Sequence, residues 1–230
     1  MQSPIIIVFI GNVGAGKSSH ILAAYTFLKN KGYNVHKTYV KTMFYITTFI
    51  TTLMGTLPIR NTPLQRALWR LAVAVDLLLN SMLLPLVLWF RTIIIPSIMR
   101  AKIVLVEEHL FGSLVDYIHA AFLLNLTPIV SVALKSLLKL SRANTWTGII
   151  YLVCDKKLLP QRWAKRGAPP ESSTYLLAQD LIFNILVKKL NDHNLLRINT
   201  GVDFYYNSLK ISKFILRYLE TNERFIHRAL

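Results

Sequence analysis

Ile5-Ile6-Ile7-Val8-Phe9-Ile10-Gly11-Asn12-Val13-Gly14-Ala15-Gly16-Lys17-Ser18-Ser19 lies at the start of the chain, and its reading fixes the fold. The run 5–10 is apolar and mostly β-branched, the pattern of a strand covered on both faces. The glycines that follow allow successive backbone N–H groups to point inward and cradle an anion, in the spacing G-x-x-x-x-G-K-[ST]. A helix expected from Lys17 adds its positive dipole end and its unpaired N–H groups. Gly11, Asn12, Val13, Gly14, Ala15, Gly16, Lys17, Ser18 and Ser19 are therefore the expected phosphate cradle for ATP. Lys17 is expected to reach the β- and γ-phosphates, and the Ser18 hydroxyl to ligate Mg2+.

Working outward, residues 34–41, 102–108, 149–155 and 195–199 read as further strands, the second near an edge because polar residues interrupt it. Helical patterns cover 17–30, 112–125, 128–142, 172–191 and 208–220. Strands alternating with helices imply a mainly parallel sheet. The expected fold is α/β, a P-loop NTPase three-layer sandwich with a five-stranded sheet and helices on both faces. No internal repeat or linker divides the chain, so residues 1–230 are expected to form one domain.

The chain carries 53% hydrophobic residues and a formal charge of +16, which implies attraction to polyanions: nucleic acid, anionic lipid or phosphorylated small molecules. Nucleic acid is not expected as a partner, because no aromatic-basic stacking motif stands out. The single cysteine, Cys154, excludes a disulfide framework and a cysteine-cluster metal site. The first apolar run is too short for a signal peptide and leads directly into the loop, so a cytoplasmic protein is expected.

The segment 43–100 is unusual: 43–59 has no charge, and 71–99 has only Asp76 and Arg91. A spanning hairpin would leave Arg60, Arg66 and Arg70 on the far side, against the positive-inside rule. Burial in the core or in a homodimer interface is the favoured reading, with peripheral membrane contact as the alternative.

Phosphoryl transfer needs an acid near the phosphates. Asp76 is the first carboxylate in the chain, so the candidates are Glu107 and Glu108, at the carboxyl end of the third strand. Adjacent residues of a strand face opposite ways, so one of them is expected in the site, with Glu108 favoured. Glu107 and Glu108 are also the candidate Mg2+ ligands beside Ser18. Arg162 and Arg166, spaced i, i+4, would project from one helical face and clamp phosphates in a lid over about 160–175. The six histidines show no metal-ligand spacing. Trp163 is expected in ordinary packing rather than over a base.

The loop, the passage from Val104 to Tyr117 and the stretch from Tyr151 to Leu190 together resemble the thymidylate kinase family of P-loop nucleoside monophosphate kinases. Ser113 and Tyr117 are in register with that family's Ser-Ser-x-Ala-Tyr, and Arg162-Trp-Ala-Lys-Arg166-Gly167 with its lid. The resemblance implies transfer of the γ-phosphoryl of ATP to a nucleoside monophosphate, with Lys17, Glu108, Arg162 and Arg166 catalytic. It also marks Asn199-Thr200-Gly201 as the base-side loop. Three departures fall on the acceptor side: no Glu-Pro-Gly segment follows the second strand, His109 replaces an arginine, and Asp76 alone stands for the family's Asp-Arg pairs. A P-loop ATPase or nucleotide sensor is the alternative, since residues 103–108 also fit a strand ending in paired acids.

Overall fold

The computed structural model describes residues 4–40, 63–124, 147–167, 170–188 and 194–229. The expected helix at 128–142 and the charge-free stretch 43–59 lie outside them. Strands β1 (Ile5–Gly11), β2 (Val35–Tyr39), β3 (Ile103–Glu107), β4 (Thr147–Val153) and β5 (Leu195–Asn199) form one sheet in the order β2-β3-β1-β4-β5. Every pairing is parallel. The helices are α1 (Lys17–Asn30), α2 (Pro63–Trp89), α3 (Ile95–Ile98), α4 (His109–Leu124), α5 (Leu159–Lys165), α6 (Ser173–Lys188) and α7 (Phe204–Ala229), and a π-helical turn, Phe90–Ile94, joins α2 to α3. This is the α/β P-loop NTPase architecture.

The period-2 alternation of the strands builds two cores. Ile6, Val8 and Ile10 face α2, α4 and α6, while Ile7 and Phe9 face α1, α5 and α7. The continuous apolar run of β1 is thus explained by its central place, with both faces covered. Strand β2 lies at the edge, in keeping with its polar residues.

Several boundaries differ from expectation. The second strand ends at Tyr39 rather than 41, and the fourth at Val153 rather than 155. Asp155 has left the sheet and caps a short 3-10 turn, accepting from the Lys157 N–H at 2.9 Å. The last helix runs from Phe204 rather than 208, because the Asp203 carboxylate accepts from the Tyr206 N–H at 2.7 Å, as N-caps do.

The close approach of β1 to β4 decides the first glycine of the loop. A Cβ at Gly11 would lie 2.3 Å from the Leu152 carbonyl oxygen, a backbone atom that cannot swing aside. Gly11→Ala is expected to cost roughly 2 kcal/mol or more in denaturant unfolding. Gly32→Ala, which meets no atom within 4 Å and carries only left-handed backbone strain, is expected to cost about 1 kcal/mol. Equal losses would show that the strand approach is not the constraint.

Candidate functional site: the phosphate loop and the acids of β3

Between β1 and α1 the chain folds as the sequence implies. Gly14 and Gly16 have φ of 89° and 87°, the left-handed region that favours glycine. The Ala15 N–H donates to the Asn12 carbonyl at 2.9 Å, which closes the turn. Helix α1 begins at Lys17 with no acid in its first turn, so its dipole end is not neutralised from within. Ser18 and Ser19 are exposed in that turn.

The Lys17 side chain is buried, and its ammonium donates to the carbonyls of Gly11 at 2.9 Å and Asn12 at 3.2 Å. Its third neighbour is Glu108, with Oε1 3.3 Å away. Next to this group the Ser18 hydroxyl donates to Glu107 Oε1 at 2.7 Å.

Both acids therefore reach the loop, and the expectation that one would point away is corrected. Glu107 is the last residue of β3, opposite Phe9 of β1 and Tyr39 of β2. Glu108 has φ 69°, in the left-handed region, which returns its side chain to the same end of the sheet. Its N–H still bonds the Phe9 carbonyl at 3.0 Å, so the turn is anchored. Helix α4 then starts at His109, three residues before the expected Gly112. Gly112 lies against Glu108: a Cβ there would sit 3.2 Å from both Glu108 Cβ and Oε2. The roles also divide differently from expectation, with Glu107 on Ser18 and Glu108 on Lys17. A hydroxyl and a carboxylate at this separation are a hard-oxygen pair that fits Mg2+, which takes one or two carboxylates alongside substrate phosphates. No cluster of three or more metal-ligating side chains occurs among the described residues, so protein groups alone do not make a cage here.

The two arginines expected in a lid are placed unequally. Arg162, within α5, donates to the Gly14 carbonyl at 3.1 Å, to the Thr200 hydroxyl at 3.1 Å and to the Thr200 carbonyl at 2.6 Å. Arg166, just past the helix, is exposed. Trp163 is buried and donates from Nε1 to the Val13 carbonyl at 3.2 Å, so it packs beneath the loop as expected. The loop 199–201 therefore anchors Arg162, and Thr200 is held in turn by a 2.7 Å bond from its N–H to the Val153 carbonyl.

Two neighbours escaped the sequence reading. Asp180 of α6 accepts from Asn12 Nδ2 at 2.8 Å and pairs with Lys156 at 2.6 Å, tying a distant helix to the loop. His20 is buried, stacks on Phe204 at 4.6 Å and has Nδ1 3.3 Å from the Ser208 hydroxyl. Burial, reinforced by the Arg162 charge, pushes its pKa down to about 4, so it is neutral near the loop at ordinary pH. Neither residue carries a motif; 168 positions separate Asn12 from Asp180.

On the other side of the acids, Tyr39, Asp116 and Tyr175 complete a face of carboxylates and phenols. Tyr175 donates its hydroxyl to Asp116 at 2.7 Å. Burial raises the Tyr39 phenol well above its ordinary pKa, and the nearby charges of Glu108, Glu107 and Asp116 raise it further. The Arg91 guanidinium donates to the Tyr39 carbonyl. The side chain of His109 lies outside the described residues.

No protein-family model matches the chain, and no curated protein matches it. Solved structures do match, and they share the α/β P-loop NTPase fold. One is described as the structure of deoxyadenosine kinase from M.mycoides with bound dATP. It aligns with a TM-score of 0.50 and 16% identity, covering 94% of this chain and 100% of that one. At that identity the likeness establishes the fold.

The division of labour between the acids is testable by calorimetric titration of ATP with and without Mg2+. Glu107→Gln is expected to remove most of the Mg2+ enhancement of ATP binding. Glu108→Gln is expected to keep that enhancement, since it disturbs Lys17 instead. The reverse pattern would assign the cation to Glu108.

Proposed function

We propose that this chain is an ATP-dependent kinase that moves the γ-phosphoryl group to a hydroxyl of a nucleoside-class acceptor. The observation that carries this reading is the convergence of Lys17, Ser18 with Glu107, and Glu108 at one end of the sheet, beside the face formed by Tyr39, Asp116 and Tyr175. Loop N–H groups and Lys17 hold the transferring phosphates and oppose the charge that develops on them. Mg2+, when bound at Ser18 and Glu107, neutralises phosphate charge. Glu108 accepts the acceptor's hydroxyl proton as the new O–P bond forms. The bond from the γ-phosphorus to the bridging oxygen breaks, and its electron pair leaves with ADP. Arg162 and Arg166 belong to a lid over about 160–175 that excludes water when it closes.

The resemblance to thymidylate kinases suggests a monophosphate acceptor, which needs a cation to receive its phosphate. The loop side of Glu107 and Glu108 is taken by Ser18 and Lys17, while their other side meets the phenols of Tyr39 and Tyr175 and the Asp116 carboxylate, a face that suits neutral hydroxyls better. The kinase named for deoxyadenosine supports the same preference. A second reading, an ATPase, draws on the adjacent pair Glu107 and Glu108, one beside the Ser18 hydroxyl and one beside Lys17, where it would activate water.

The test is ADP release from Mg-ATP with each nucleoside and each nucleoside monophosphate in turn, with Lys17→Ala as control. Nucleoside-dependent release lost in the control is expected, by a factor of about 100 or more. Release that requires a monophosphate would restore the thymidylate-type acceptor. Release without any acceptor would favour the ATPase.

A further inference from the structure

Helix α2 is apolar on both sides. Its inner side, with Val73, Leu77, Leu84 and Leu88, belongs to the core against the sheet. Its outer side, with Leu71, Leu78, Met82, Leu86 and Trp89, is exposed, as is Phe90 just beyond it; Met82 is 72% and Leu86 62% accessible. The outer residues recur at the helical spacing of one continuous stripe. Asp76, the only acid in α2, is fully buried, so no charge interrupts the stripe. Apolar patches of this extent mark a surface that something covers.

We infer that this stripe docks α2 flat on a bilayer containing anionic lipid. Three observations favour that occupant over a second copy. The chain carries +16, which attracts an anionic surface and opposes the approach of a like-charged copy. Basic residues flank the stripe at both ends: Arg70 is exposed before it, and Arg100 and Lys102 after it. Trp69 and Trp89 stand near its two ends, both exposed, where indole rings favour the headgroup level. No single described helix is long and apolar enough to cross a membrane, and spanning would need the bent pair Ala67–Asn80 and Met82–Ile98, inclined by 41°, to act together. The inner side of α2 is also committed to the sheet. The docked helix would lie in the interface with one face in the acyl boundary, as amphipathic surface helices do. Arg91, just past the end of α2, donates to the Tyr39 carbonyl, so this end of the helix is tied to the edge strand beside the site.

Co-sedimentation of the full chain with vesicles tests this directly. Phosphatidylcholine vesicles are compared with equal parts of phosphatidylcholine and phosphatidylglycerol, at low and high salt. Binding to the anionic vesicles that salt weakens is expected. Met82→Glu with Leu86→Glu is expected to reduce it about tenfold or more, with ATP binding unchanged as the check on folding. Leu181→Glu, an exposed apolar residue of α6, is expected to bind as the native chain does. Undiminished binding by the double variant would overturn the proposal. So would no vesicle binding together with a dimer in sedimentation velocity that the double variant dissolves, which would assign the stripe to a second copy.

Discussion

A lysine ammonium taken out of water must be surrounded by acceptors, and at Lys17 that requirement ties three elements together. Its acceptors are two carbonyls of the loop and a carboxylate from the far end of β3. The carbonyls are supplied only if β1 ends where it does, against Leu152 of β4. The carboxylate is supplied only if the chain turns left-handed at Glu108. A non-glycine residue in that conformation costs about 1 kcal/mol or more, and pairing with a buried charge is an interaction able to offset it. Gly112 leaves space for the same side chain. Of the two described non-glycine residues with positive φ, Arg100 in the turn before β3 and Glu108, the second lies at the site, as is common where geometry serves chemistry.

From this centre the remainder of the site can be ordered by what it touches. Arg162 and Trp163 brace the loop from beneath, and Asn12 is braced from α6 through Asp180. The loop is thereby held by contacts from elements far apart in sequence, and preorganised donors need no rearrangement when charge develops. Arg162 binds both the loop and Thr200, so any movement of α5 must exchange these bonds for others. The positive charge of the whole chain favours polyanions in general, while the geometry of the loop is what fits a phosphate.

The sheet was legible because β1 and β3 are unbroken apolar runs, and parallel strands covered on both faces have that signature. The loop was legible because each of its positions has a local backbone reason. The second acid was not, since strand alternation predicts that Glu107 and Glu108 diverge, and only a left-handed φ at a glutamate reverses this. Asp180 was invisible for another reason: nothing in the pattern of α6 says which turn will meet Asn12. The apolar character of α2 was plain in the sequence. Its division into an inner side on the sheet and an outer side facing solvent needed the tertiary packing, because periodicity cannot separate two apolar faces.

The most direct test of the central claim is calorimetric titration of Mg-ATP into the native chain and into Lys17→Ala. Saturable binding of one nucleotide per chain, lost when the ammonium is removed, is the result the account requires. Equal binding by the two proteins would contradict it, because the nucleotide would then be held somewhere other than this loop.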